Sequence, residues 1–141
     1  MALLDAPSGR VYAPLPIDAT RGFPQTFALV FANRNYRFRL YVNANAPALK
    51  DKAAIFDLPL APSAGDKALA TDFREAYLVV RAELDQPAGA PQLVFVRKVM
   101  PELEYEFAGV ALYFPQQRVA VQNLNGVGNF GTQITGGIAL R

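Results

Sequence analysis

Residues 37 to 41, Arg-Phe-Arg-Leu-Tyr, form the sharpest chemical pattern in the chain. Along a strand, Arg37, Arg39 and Tyr41 share one face, and Phe38 and Leu40 take the other. Two chemistries suit such a face. Guanidinium groups beside an aromatic ring can hold the phosphates and bases of single-stranded nucleic acid. The same groups can instead face solvent, meet carboxylates across a sheet, or meet a protein partner. Phe38 and Leu40 point away, so Tyr41 is the one ring left for stacking. That favours a structural strand over a nucleic-acid grip.

Two other patterns imitate sites. Glu102, Glu104 and Glu106 alternate with Leu103 and Tyr105, which puts the carboxylates on one strand face. A glycosidase pair must face each other across a cleft, and an oxygen-ligand cation loop needs clustered Asp, Asn and Gly. Neither condition is met, and if the two strands pair or lie close, this acidic stripe neutralises the arginine stripe across the sheet. Residues 126 to 131, GVGNFG, match G-x-G-x-x-G letter for letter. A dinucleotide site needs a helix to open directly after the glycines. Here TQITGGIALR follows, β-branched and broken by Gly136 and Gly137, so the segment is expected to be a flexible or partner-ordered tail.

The sequence has no His and no Cys. It therefore has no Ser-His-Asp or Cys-His nucleophile, and it lacks the side chain that most often serves as base near neutral pH. The commonest zinc, copper and haem ligands are absent too. Its two serines, Ser8 and Ser63, lie in stretches flanked by Pro and Gly. Asp57 and Asp72 stand apart from other acids, and neither Lys67 nor Lys98 has a neighbour that would make it a Schiff-base lysine. The expectation is a protein with no catalytic, metal or cofactor site. The 141 residues suit one domain with a real core. They are 52% hydrophobic and 18% charged, apolar enough to expect partners over part of the surface. A net charge of +2 does not by itself imply nucleic acid. No apolar run reaches the roughly 18 residues of a membrane helix, and residues 1 to 16 lack the basic and apolar regions of a signal peptide.

The elements that must position these residues read as β throughout. Four prolines among residues 1 to 25 suggest an extended N-terminal arm. TFALVF (26 to 31) and YRFRLYV (36 to 42) alternate around the turn ANRN, which predicts a hairpin. AAIFDLPL (53 to 60) is a short strand, and one turn of helix is expected within 66 to 75. AYLVVRAEL (76 to 84) is nearly continuous in apolar residues and so central. QLVFVRKV (92 to 99) returns after the turn DQPAGAP. LEYEFAGVALYF (103 to 114) reads as one strand, with Gly109 at a bulge, and RVAVQNL as another. The sum is an all-β fold, an antiparallel sandwich or small barrel of about seven strands. Its β-domain spans 26 to 114, with arms at 1 to 25 and 115 to 141.

Taken in order, FPQTFALVFANRNYRFRLYVNA, AIFDLPL, YLVVRAEL and EYEFAGVALYF resemble the small β-domain of baseplate plug proteins of tailed bacteriophages. That family opens on a strand reading roughly Q-x-F, continues through a Y-x-x-R-L-like strand, and closes on an acidic, aromatic strand ending near L-Y. The matching residues here are Gln25, Phe27, Tyr36, Arg39, Leu40, Leu112 and Tyr113. The likeness covers about residues 17 to 114. One departure is that the family often carries a tryptophan before its L-D-L-like strand, whereas this chain has KDKAAIFDLP there and no tryptophan at all. The resemblance implies a non-catalytic virion protein, made in the host cytoplasm and placed at the distal end of a tail. It would bind hub, tube or baseplate subunits and sit as a homo-oligomer in the particle. Extended arms that add strands to neighbouring subunits are a physical route to such assembly. On that reading Phe130, Ile134, Ile138 and Leu140 dock in neighbouring subunits, and Arg37, Arg39 and Tyr41 face a partner. A head decoration or tail completion protein, or a barrel binding single-stranded nucleic acid, are the alternatives. No membrane partner is expected.

Overall fold

The computed structural model describes residues 3–60 and 74–141. Two antiparallel sheets pack face to face around one main core. The smaller runs in the order β3 (Gln25–Phe31), β4 (Arg34–Ala44), β6 (Ala76–Leu84), β7 (Gln92–Val99). The larger runs β1 (Leu4–Asp5), β2 (Val11–Pro14), β10 (Gln133–Leu140), β9 (Val110–Ala120), β5 (Ile55–Asp57). A further strand, β8 (Glu104–Phe107), shares the β5 edge of β9: it pairs with Val110 to Tyr113, and β5 pairs with Arg118 to Ala120. The all-β expectation holds as a sandwich, and among the described residues no barrel closes. The described residues form ten strands rather than about seven.

Alternation explains the core. In β4, Tyr36, Phe38 and Leu40 are buried; in β6, Leu78, Val80 and Ala82; in β9, Val110, Leu112 and Phe114. These rows interdigitate between the sheets, as sandwich faces do. β6 is central in its sheet, as its apolar run predicts. The β3–β4 hairpin also matches. Its two-residue turn, Ala32 and Asn33, has φ of 53° and 61°, the left-handed pair that matches strand twist.

Residues 103 to 114 are a hairpin rather than one strand. Ala108 and Gly109 take φ of 47° and 82°, so Gly109 makes the turn between β8 and β9 and no bulge. The ladder irregularities lie elsewhere, between Ala82 and Glu83 and between Thr135 and Gly137. Most of the segment expected to hold a helical turn, 66 to 75, lies outside the described residues.

The two arms are the main correction. β2 pairs with β10 through Ala13↔Ile138 and Pro14↔Gly137, and Leu15 donates its amide to Gly136 O at 2.8 Å. Pro14 fits because its missing donor faces away from β10, beyond the end of β1. β10 is an interior strand between β2 and β9, and the boundary drawn at Phe114 falls inside β9. Ile134 and Ile138 are 4% and 1% exposed, in the core rather than free for a partner. Gly136 and Gly137 are the reason this strand looks unlike one. A Cβ at Gly136 would stand 2.4 Å from the Phe114 ring, and one at Gly137 2.5 Å from Tyr12 Cβ. The glycines are there because two aromatic residues lie against the backbone, one on each face of the sheet.

Candidate functional site: the outer face and free edge of the four-stranded sheet

The smaller sheet turns a charged face outward. Along it, Ala28 lies opposite Arg37 and Arg37 opposite Glu83; the next row is Thr26, Arg39, Arg81 and Val96. Arg37 Nε sits 2.8 Å from Asp85 Oδ1, and Arg81 3.8 Å from Glu83. Arg39, directly across from Arg81, lies over the Tyr41 ring at 5.8 Å. Lys98 lies over Tyr77 at 4.5 Å. An open groove of about 660 Å³ runs between β3 and these side chains, lined by Thr26, Ala28, Val30, Arg37, Arg39 and Arg81.

The structure brings Arg37, Arg39 and Tyr41 onto one face, as alternation requires. It adds Tyr77, Arg81 and Lys98, which sequence reasoning missed. The signal was present: read at period two, Tyr77, Val79, Arg81 and Glu83 share a face, but the apolar run obscured it. The expected neutralisation by Glu104 and Glu106 does not occur. Arg37 is paired with Asp85, and the glutamates belong to the other sheet, where Arg10 meets Glu104 at 3.4 Å and Glu106 at 3.1 Å. Arg141 also reaches Glu106, at 3.1 Å.

That second cluster ties the N-terminal hairpin down. Tyr12, fully buried, donates its hydroxyl to Glu104 Oε1 at 2.6 Å, and Ser8 donates to the same oxygen at 2.8 Å. Burial, then the bond to Glu104, pushes the Tyr12 hydroxyl up to about 12. Burial works against the Glu104 carboxylate, yet the bonds from Tyr12 and Ser8 and the charge of Arg10 hold it below the usual carboxylate range. Tyr12 also packs on Tyr113, ring centroids 5.5 Å apart.

At one end of the sandwich, GVGNFG forms a tethered turn and opens no helix. The Asn123 side chain donates to Ala19 O at 2.9 Å and to Gly128 O, and Asn129 Oδ1 accepts from Gly131 N. Phe130 projects from this turn, 49% exposed, with φ of 51°. Leu140 is 63% exposed. Asp57 pairs with Arg118 at 3.1 Å; Asp72 and Lys67 lie outside the described residues. Among the described residues no three acidic, His or Cys side chains are grouped to hold a metal ion. No described helix is long and apolar enough to cross a membrane.

The edge of the sheet beside the groove is chemically bare. The two-residue turn makes Phe31 and Arg34 a hydrogen-bonded pair, so the pairs at Leu29/Tyr36, Phe27/Phe38 and Gln25/Leu40 follow. The backbone groups of Thr26, Ala28 and Val30 then point outward. No described segment pairs with them. β3 carries no charge and no proline, and Val30 is 69% exposed. No family model matches the chain, and neither a curated protein nor a solved structure shows significant similarity to it.

Proposed function

We propose that this protein is a non-catalytic structural component of a bacteriophage tail or baseplate, a plug or assembly subunit that binds hub, tube or neighbouring baseplate proteins. The β3 edge, left unpaired by every described segment, is the observation that carries this reading. Natural sheets blunt their edges with charge, proline or bulges, because a bare edge recruits another strand. The opposite edge of the same sheet, β7, is blunted: Arg97 and Lys98 are exposed on it. An unguarded β3 suits a protein whose edge is covered in an assembly. Exposed Phe130 offers a second contact. The resemblance to plug proteins supplies the setting, the virion.

The test is to band assembled particles on a density gradient and digest them. Peptides of this chain at constant stoichiometry with the tail proteins support the proposal. Recovery only among the unassembled proteins refutes it, as does recovery with the heads alone, which would favour a head decoration role.

A second reading draws on the outer face, where Tyr41 and Tyr77 share a surface with four cations, Arg37, Arg39, Arg81 and Lys98. Single-stranded nucleic acid binds such surfaces. Both rings already carry a cation of their own, so a base must displace Arg39 or Lys98 before it can stack. Binding to a labelled oligonucleotide that falls steeply with salt would favour this reading.

A further inference from the structure

We propose that β3 is the contact of a two-fold dimer, in which two copies of this chain join edge to edge with Ala28 on the axis. The inference deepens the assembly reading and rests on it only in taking β3 as a contact surface.

Three observations select a second copy as the occupant. The outward backbone groups of Thr26, Ala28 and Val30 are spaced symmetrically about Ala28. Antiparallel addition of an identical strand sets Ala28 against its own copy and Thr26 against Val30, each pair exchanging two hydrogen bonds. The side chains share that symmetry. Phe27 and Leu29 flank Ala28 on the core face, and the near-isosteric Thr26 and Val30 flank it on the outer face. A two-fold interface must be complementary to itself, and this strand reads nearly alike in both directions. Finally, no charge on β3 repels its copy or selects a charged peptide. Arg37, the nearest cation on the next strand, is held by Asp85 of its own chain. Joined this way, the two smaller sheets become one continuous sheet. Phe27, Leu29 and Phe31, half-buried in each copy, close over the junction.

The chain has no cysteine, which makes the register directly testable. In the full chain, Ala28→Cys places two thiols on residues about 5.5 Å apart at Cα, within disulfide reach. Under mild oxidation it should form a disulfide dimer, and Ala90→Cys, at an exposed loop position, should not. Thr26→Cys mixed with Val30→Cys should cross-link to each other far faster than either does to itself. Light scattering of the wild type should show a dimer, and Val30→Lys should raise the dimer Kd by about tenfold or more, with a melting temperature that matches the wild type once both are diluted below the dimer Kd. A wild type that is monomeric at its highest soluble concentration overturns the proposal. So does cross-linking at Ala28 no faster than at Ala90, or a monomer that captures a Glu-rich extended peptide along β3. The outcomes separate the two claims: a monomer found in tail particles refutes the two-fold and leaves the tail role. A cross-linked dimer absent from particles leaves the two-fold and removes the role.

Discussion

Replacing Gly136 with alanine tests whether β10 is built into the core. The new Cβ would meet two Phe114 ring carbons at 2.4 and 2.5 Å and Ile17 Cδ1 at 3.3 Å. Carbon atoms pack best at about 3.5–4.0 Å, so the ring must retreat by about 1 Å. It has little room, since Phe114 is fully buried among core side chains. Overpacking of this kind costs about 1–3 kcal/mol. Against it, alanine in a strand gains about 0.5–1 kcal/mol over glycine, because the unfolded chain loses freedom. The clash wins, with a net loss of about 1–2 kcal/mol. At this chain length the melting temperature should fall by about 3–8 °C. A urea titration should show a lower midpoint with an unchanged slope. Phe114→Leu, which removes the offending ring, supplies the control. In that background Gly136→Ala should cost little or nothing, so the two changes together should cost less than their sum. A Gly136→Ala variant as stable as the wild type, or one whose cost is the same in both backgrounds, would mean that the glycine serves only as a flexible link.

A chain ending at Phe114 should lose cooperative unfolding altogether, because it lacks β10 and half of β9; a sharp thermal transition by circular dichroism would refute this. Tyr36→Phe should raise stability by about 1 kcal/mol in urea titrations, since the buried Tyr36 hydroxyl has no hydrogen-bond partner among the described residues. Glu104→Gln should cost about 1–2 kcal/mol at neutral pH. The folded Glu104 pKa is depressed, so its contribution is complete above the usual carboxylate range and fades as pH falls through the folded value. The gap between wild type and Glu104→Gln should therefore close in acid. Tyr12 runs the other way: its folded pKa is raised from 10.0 to about 12, so its contribution holds below the unfolded value and is lost as pH climbs between the two. Over that interval the wild type should lose stability that Tyr12→Phe keeps.

The sandwich was readable because its most regular strands, β3 and β4, alternate cleanly and turn through Ala32-Asn33, where asparagine tolerates the left-handed conformation. The ends of the chain mislead for a common reason: their composition does not indicate their conformation. Prolines at 14 and 16 suggest an extended arm outside the sheets, yet Pro14 sits in β2, where the ladder needs no donor from it. The pair Gly136-Gly137 suggests flexibility, yet each glycine fills a space defined by Phe114 or Tyr12, more than 20 residues away in sequence. Such packing has no local signature. At the candidate site, the arginine face followed from period two alone. The bare β3 edge did not, because whether a strand is interior or at an edge depends on which others pair with it. Ile134 and Ile138 belong to the core for the same reason: β9 and β2 flank them.

The pairing of β2 with β10 also joins distant parts of the chain. β3, β4, β6 and β7 pair largely with neighbours in sequence, and their sheet lies within residues 25 to 99. Ala13 must wait for Ile138. Contacts so distant along the chain are slow to close, and synthesis proceeds from the N-terminus. If the shorter-range sheet forms first, its apolar face stays uncovered until the two ends pair. On that path the bare β3 edge is one of two surfaces on which another chain can settle. The larger sheet then covers the face and leaves the edge.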